Sequence, residues 1–312
     1  MSAHDASVKI AIVGTGSMGG ACLRGWLADH AGAAANLDAR NFVAVAPRVE
    51  ARKALTDELG VKCVACASEL PLCDIVLLAV KPQIMFEVLS KVAASQFASY
   101  GEGEASSAAS AARFPLFVSV AAGIETSQIE AALQNEWDAI HSCADEAQVS
   151  PPAKKIEVVR VMPNMPLKVG AGASGVAGGK NATPEQVQLV VELFASLGFA
   201  AVVDESQIDA VCAISGGAPA YFALVAELLA QAGVKAGLDE QLSSDLARAS
   251  LVGCGVYLAQ SDVSCAQLRR SVCSPGGTTL AAIDAMTKAG LEDAIPAGVD
   301  AAISRAKELA KC

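Results

Sequence analysis

Six consecutive residues, Ser274-Pro275-Gly276-Gly277-Thr278-Thr279, crowd three hydroxyl groups into what reads as the junction of two helices. The proline and the glycines stop one helix and the threonines open the next. A helix N-terminus presents unpaired backbone N–H groups and a partial positive charge, so a small anion is its natural guest. The plainer reading is that Ser274 and Thr278 are caps, whose hydroxyls satisfy those N–H groups from within the chain. On these six residues alone, both readings stand.

A second cluster lies at the front of the chain. "VKIAIVGTGSMGGACLRGWLADH" opens with a strand over Val8 to Val13 and turns through Gly14, Gly16 and Gly19 into a helix, in G-x-G-x-x-G spacing. In a dinucleotide cradle Gly14 permits the tight turn, Gly16 lets the backbone approach a pyrophosphate, and Gly19 lets helix and strand lie close. Ser17 and Met18 complete that turn. The next strand, "NFVAVAPR", ends in Ala46, Pro47 and Arg48, where an NAD-selective site would carry Asp or Glu for the ribose 2′-hydroxyl. No carboxylate repels a 2′-phosphate there and Arg48 could pair with one, which favours NADPH over NADH. The alternative is that Arg48 is an ordinary solvated charge.

These groups need a frame. "VKCVACA", "DIVLLAVKPQ", "LFVSVAAGI" and "EVVRVMPNMP" read as parallel strands buried on both faces, alternating with helices such as "TSQIEAALQ". An open α/β sheet binds its ligand at the carboxyl ends of its strands. Ala79, Val80, Lys81 and Pro82 stand at one such end, Ala121, Ala122 and Gly123 at the next, and Asn164 at the last; Pro82, Pro163 and Pro166 also serve to end strands. After a final helix and strand in "EQVQLVVELFASLGFAAVVDES" the texture changes to helices only. The expected division is a doubly wound α/β domain over 1–205 and an all-helical domain over 206–312. The two long helices of the second part are apolar on most faces and cannot bury themselves alone, so they are expected to pack against a second subunit. The alternative is that they fold back over the chain's own sheet.

Composition narrows the function. The chain has 312 residues, 53% of them hydrophobic, and a formal net charge of −10, which leaves no basic face for nucleic acid. Any anionic ligand must be caught by local donors against that acidic field. The start carries Asp5 and has no signal-peptide pattern, and the ten cysteines follow no framework spacing, so a reduced, cytoplasmic protein is expected. The uncharged run from Val211 to Ala226, broken by Gly216, Gly217 and Pro219, is shorter than the ~20 residues of a membrane span and reads as a core helix. Cys63 and Cys66 lie on one expected strand, where positions three apart face opposite sides, so no metal site is expected. His4, His30 and His141 belong to no motif, which disfavours histidine-driven acid/base chemistry. "QFASYGEGEASSAASAARFP" and "DAIHSCADEAQVSPPAKK" offer no periodic apolar face and read as surface insertions.

The blocks "IAIVGTGSMGGA", "LAVKPQ", "SVAAGI", "RVMPNMP", "DAVCAISGGAPAYF" and "VCSPGGTTLAAI", in this order, give the chain a resemblance to the pyrroline-5-carboxylate reductases, covering nearly all of it outside the two insertions. The resemblance implies a Rossmann domain, a helical dimerisation domain with dimers assembled into larger rings, and NAD(P)H-dependent reduction of 1-pyrroline-5-carboxylate to L-proline. It further implies that Ser274, Gly276, Gly277, Thr278 and Thr279 receive the substrate carboxylate, with Thr279 bonding the ring nitrogen. The chain departs from the family pattern at Gly217, where a serine is usual, at Met165, where threonine commonly follows the asparagine, and near Cys66, where related chains often carry asparagine.

Overall fold

The computed structural model describes residues 8–29, 32, 34–97, 114–141 and 155–309. Four-residue apolar runs supply its centre: β1 (Ile10–Val13), β2 (Phe42–Val45), β4 (Ile75–Leu78) and β5 (Leu116–Ser119) are buried at every position. β3 (Lys62–Val64), β6 (Val158–Met162), β7 (Gly172–Gly178) and β8 (Gly198–Val202) complete one sheet in the order β3-β2-β1-β4-β5-β6-β7-β8. Unbroken Val/Ile/Leu runs mark strands covered on both faces. On one face α1 (Ser17–Ala28), α2 (Val49–Leu59) and α5 (Pro184–Ala195) enclose a core around Trp26, Phe42 and Phe194. On the other, α3 (Met85–Phe97) and α4 (Thr126–His141) enclose Phe97, Phe117 and Trp137. The chain winds outward from β1 to β3, then restarts at β4 on the other side of β1. This reversal opens a crevice at the carboxyl ends of β1 and β4, where open α/β sheets hold ligands.

The all-parallel expectation needs one correction, because β7 pairs antiparallel with β6, Val161 opposite Val176, before β8 resumes parallel to β7. Only the helical turn Met165–Val169 and a few flanking residues join β6 to β7, too little for a parallel crossover. β3 is also shorter than expected, and Cys66 lies beyond it at the head of the turn Ala67–Glu69. Both insertions begin later than their composition suggested. Gln96 and Phe97 are fully buried at the end of α3, the Gln96 amide accepting from Cys73 N and donating to Pro71 O. Phe97 meets Phe114 and Trp137 ring to ring, and α4 runs on through Asp138 to His141. The remainder, 98–113 and 142–154, lies outside the described residues, as do His4 and His30.

Cα packing divides the chain into two compact units, one of residues 1–216 with 305–312 and one of 217–304. The texture of the sequence changes at 205/206, yet 206–216 still pack with the sheet: Ile208 and Ala213 are buried, and Val211 of α6 (Ile208–Val211) presses on Gly175 of β7. Arg160 of β6, itself buried, anchors the same segment through a 2.8 Å ion pair with Glu205.

The second unit holds α7 (Ala218–Lys235), α8 (Glu240–Ala259), α9 (Cys265–Ser271), α10 (Thr278–Lys288) and most of α11 (Leu291–Leu309). α7 and α8 form a hairpin in which Ser243, buried, donates to Ala230 O at 2.7 Å opposite Gly233. Asp239 caps α8 by accepting from Gln241 N and Leu242 N. The core-helix expectation for 211–226 is corrected: no residue of α7 is buried within the chain. The uncharged run lies within a longer helical stretch, Glu205–Lys235, which by length and composition alone is long and apolar enough to cross a membrane. Of the expected breakers only Gly217 interrupts it, as the bend that caps α7. Pro219 falls in the first turn of α7, where a missing N–H costs nothing, and Gly216 is taken up in a π-helical turn, Cys212–Gly216.

Candidate active site

The front cradle is shaped by what glycine lacks. Gly14 has φ +99°, and a Cβ there would stand 2.7 Å from Ala79 O. A Cβ on Gly19 would run into the Gly14 carbonyl and lie 2.7 Å from the Ala79 Cβ, so a side chain at either position would force the β1–α1 turn away from β4. Gly16 is different: a Cβ there would meet nothing within 4 Å, leaving the backbone open on its outer side. Gly16 is also the N-cap of α1 and supplies no side-chain cap, so the first N–H groups of that helix are open to an anion. Ser17 is exposed beside it and donates weakly to Met165 Sδ at 3.9 Å, while Met18 packs inward against the core. The residues fit a dinucleotide pyrophosphate.

At the neighbouring strand end Ala46 is buried, whereas Pro47 and Arg48 are exposed, Arg48 being the N-cap of α2. Its guanidinium makes no hydrogen bond or ion pair among the described residues, and α2 starts without a side-chain cap. Ala79 N donates to Val13 O at 2.8 Å, tying the end of β4 to that of β1; Val80 is half-buried, Lys81 exposed, and Pro82 begins a short helical turn. Ala121 is buried, its N–H donating to Ser119 Oγ at 3.3 Å, while Ala122 is exposed and Gly123 turns the chain at φ +76°. Asn164 is buried at the end of β6, where its side chain donates to Ser215 O at 3.0 Å and accepts from Ala173 N at 2.8 Å. Its amide is thus already a brace between β7 and the π-helical turn. All of these positions gather along the carboxyl edge of the sheet.

Two nearby residues escaped the sequence reading. Ser119, whose hydroxyl holds the turn after β5, gave no signal in an apolar strand. Arg52 had one, standing four residues after Arg48 on one face of a helix. Cys66, past β3, has its thiol pulled below the ordinary thiol range by the Ser68 hydroxyl and the Ser68 backbone N–H, with Lys91 adding attraction.

The Ser274–Thr279 block lies in the second unit. Gly277 N donates to Ser274 O at 3.0 Å with Pro275 second in the turn and Gly276 at φ +73°, a type II turn. It delivers Gly277, not Ser274 or Thr278, to the N-cap of α10, with no side-chain cap. The capping alternative is therefore not realised at this helix. Ser274 Oγ lies over Gly277, 2.5 Å from where a Cβ would be, and Thr278 and Thr279 are exposed in the first turn. Arg269 and Arg270 end the preceding helix α9, exposed and without ion pairs among the described residues. Backbone N–H groups, three hydroxyls and two guanidinium groups thus stand within eleven residues of sequence, a donor set for a carboxylate.

Comparison with known proteins agrees with both halves. Residues 205–309 match the family model for pyrroline-5-carboxylate reductase dimerisation, and residues 9–99 match the one described as NADP oxidoreductase coenzyme F420-dependent. A pyrroline-5-carboxylate reductase of Corynebacterium melassecola is 35% identical over 303 residues, 97% of this chain and 98% of its own. Among solved structures, a pyrroline-5-carboxylate reductase from Coxiella burnetii superposes with a TM-score of 0.79 at 26% identity, covering 97% of this chain and 98% of the other. A Plasmodium falciparum pyrroline carboxylate reductase with NADP bound does so with a TM-score of 0.72, at the same identity and coverage. With a nucleotide cradle at the sheet edge, an uncapped hydroxylated turn in a helical dimerisation region, and this likeness along nearly its whole length, the chain belongs to the pyrroline-5-carboxylate reductase family.

Proposed function

We propose that the protein reduces 1-pyrroline-5-carboxylate to L-proline, the last step of proline biosynthesis, with NADPH as the preferred coenzyme and NADH as the weaker alternative. The bound nicotinamide coenzyme supplies the hydride, and the imine nitrogen ends with a proton. The work of the chain is to bind and orient. Gly14 to Gly19 hold the pyrophosphate, with the strand ends at 79–82 and 121–123 and Asn164 alongside, and Arg48 takes the 2′-phosphate. The N–H groups at the head of α10, with Ser274, Gly276, Gly277 and Thr278, hold the substrate carboxylate. Thr279 directs its hydroxyl to the ring nitrogen. A protonated imine accepts hydride readily, so a neutral hydroxyl suffices, and His141 is engaged elsewhere, 2.8 Å from Trp137 O and stacked on the Trp137 ring.

The observation that carries this reading is the uncapped amino end of α10, offered by a type II turn in a chain of net charge −10. The exposed apolar stripe of α7 is a subunit interface rather than a membrane span, since it lies inside the dimerisation match. Dimers joined into a larger ring, working in the cytoplasm, complete the proposal. NADPH oxidation followed at 1-pyrroline-5-carboxylate concentrations spanning saturation tests it. Turnover that saturates and yields proline is expected; no turnover with either coenzyme overturns it.

A further inference from the structure

Arg52 stands one turn into α2, its backbone N–H donating to Arg48 O at 3.1 Å. Its Nη1 donates to two successive carbonyls, Ala46 O and Pro47 O, each at 2.8 Å. Those carbonyls belong to the three-residue tip at which β2 passes into α2, the tip that carries Arg48. A half-buried guanidinium thus fixes the backbone beneath Arg48 and satisfies two of its carbonyl oxygens. Arg48 and Arg52 are spaced i, i+4, so their charges repel unless an anion lies between them. Glu50, the acidic residue of this first turn, is exposed, and Arg48 is paired with no described residue.

We propose that Arg52 is a positioning residue for coenzyme choice: by clamping the carbonyls of Ala46 and Pro47 it holds the β2 tip in the form that presents Arg48 to a 2′-phosphate. This inference rests on the coenzyme reading given above. Its probes are two fragments, 2′,5′-ADP and 5′-AMP, titrated calorimetrically into the full-length protein, so that no turnover is involved. The wild type should bind 2′,5′-ADP the more tightly. Arg52→Gln should weaken 2′,5′-ADP roughly tenfold, the scale of a hydrogen-bonded charge, and leave 5′-AMP within about twofold. Arg52→Lys, which keeps the charge but not the planar fork, should recover part of the loss; where Arg52→Gln does not fold, this variant decides alone. Equal weakening of both fragments would mean a merely structural role and overturns the proposal. Discrimination lost in Arg48→Gln but intact in both Arg52 variants overturns this inference alone. A wild type that does not distinguish the fragments removes it together with the NADPH preference.

Discussion

β1 and α7 are both predominantly apolar, yet every residue of β1 is buried and none of α7 is. The strand needs only its own neighbours, because parallel pairing and crossover helices from the same chain cover both of its faces. The helix carries a stripe at i, i+3 and i+7, Tyr221, Leu224 and Leu228, that remains 37%, 53% and 53% exposed. Apolar content states that a surface must be covered and is silent on which molecule covers it. The difference extends to the two binding elements. The nucleotide cradle is cut into a packed core by missing side chains, whereas the proposed carboxylate turn stands among helices that the chain itself leaves largely exposed.

Charging that stripe gives the severest test of the contrast. Leu228→Glu should dissociate the assembly, seen by sedimentation velocity, while nucleotide-fragment binding in the first unit persists; an oligomer that survives would place the interface elsewhere. Next in size is Gly19→Ala, which forces a Cβ toward the Gly14 carbonyl and the Ala79 Cβ. It should cost about 2 to 3 kcal/mol in denaturant melts and abolish coenzyme binding, without altering assembly. Thr279→Ala acts in the other unit: turnover should fall roughly tenfold to a hundredfold with coenzyme affinity unchanged, and full activity would dismiss the role given to Thr279.

The smallest effect is one of pH. Burial pushes the Cys22 thiol from 9.0 up to about 12, and burial with the adjacent Asp74 charge does the same for Cys73. The folded state therefore holds these protons more tightly than the unfolded one. Their contribution to stability is whole below pH 9 and fades as pH climbs toward about 12. Thermal melts should fall more steeply above pH 9 in the wild type than in Cys22→Ala, and parallel curves would speak against the burial effect.

The legible parts of the molecule were those in which a local rule has one solution. The fingerprint Gly14 to Gly19 could be read because each glycine answers a separate local demand, and the strands because apolar runs of four with turns between them have few other uses. β7 was missed because "GASGVAG" has neither alternation nor β-branched bulk; it is a strand only because β6 and β8 flank it. Gln96 and Phe97 were assigned to an insertion on the strength of the small and polar residues that follow them, while Phe114 and Trp137, far along the chain, hold Phe97 in the core. At the Ser274–Thr279 turn the hydroxyls were legible and the identity of the cap was not, since whether Ser274 or Gly277 leads α10 depends on a backbone turn rather than on residue preference.

Taken by itself, the order of residues determined the apolar central strands, the glycine turn after β1 and the surplus of apolar helix, because φ/ψ preference and hydrophobic period act over a few neighbours. Tertiary structure alone decided the direction of β7, the bracing duty of Asn164, the double grip of Arg52 on two carbonyls and the open amino end of α10. Each of these joins groups through space, and a hydrogen bond or steric collision exists only once the backbone has brought both partners together.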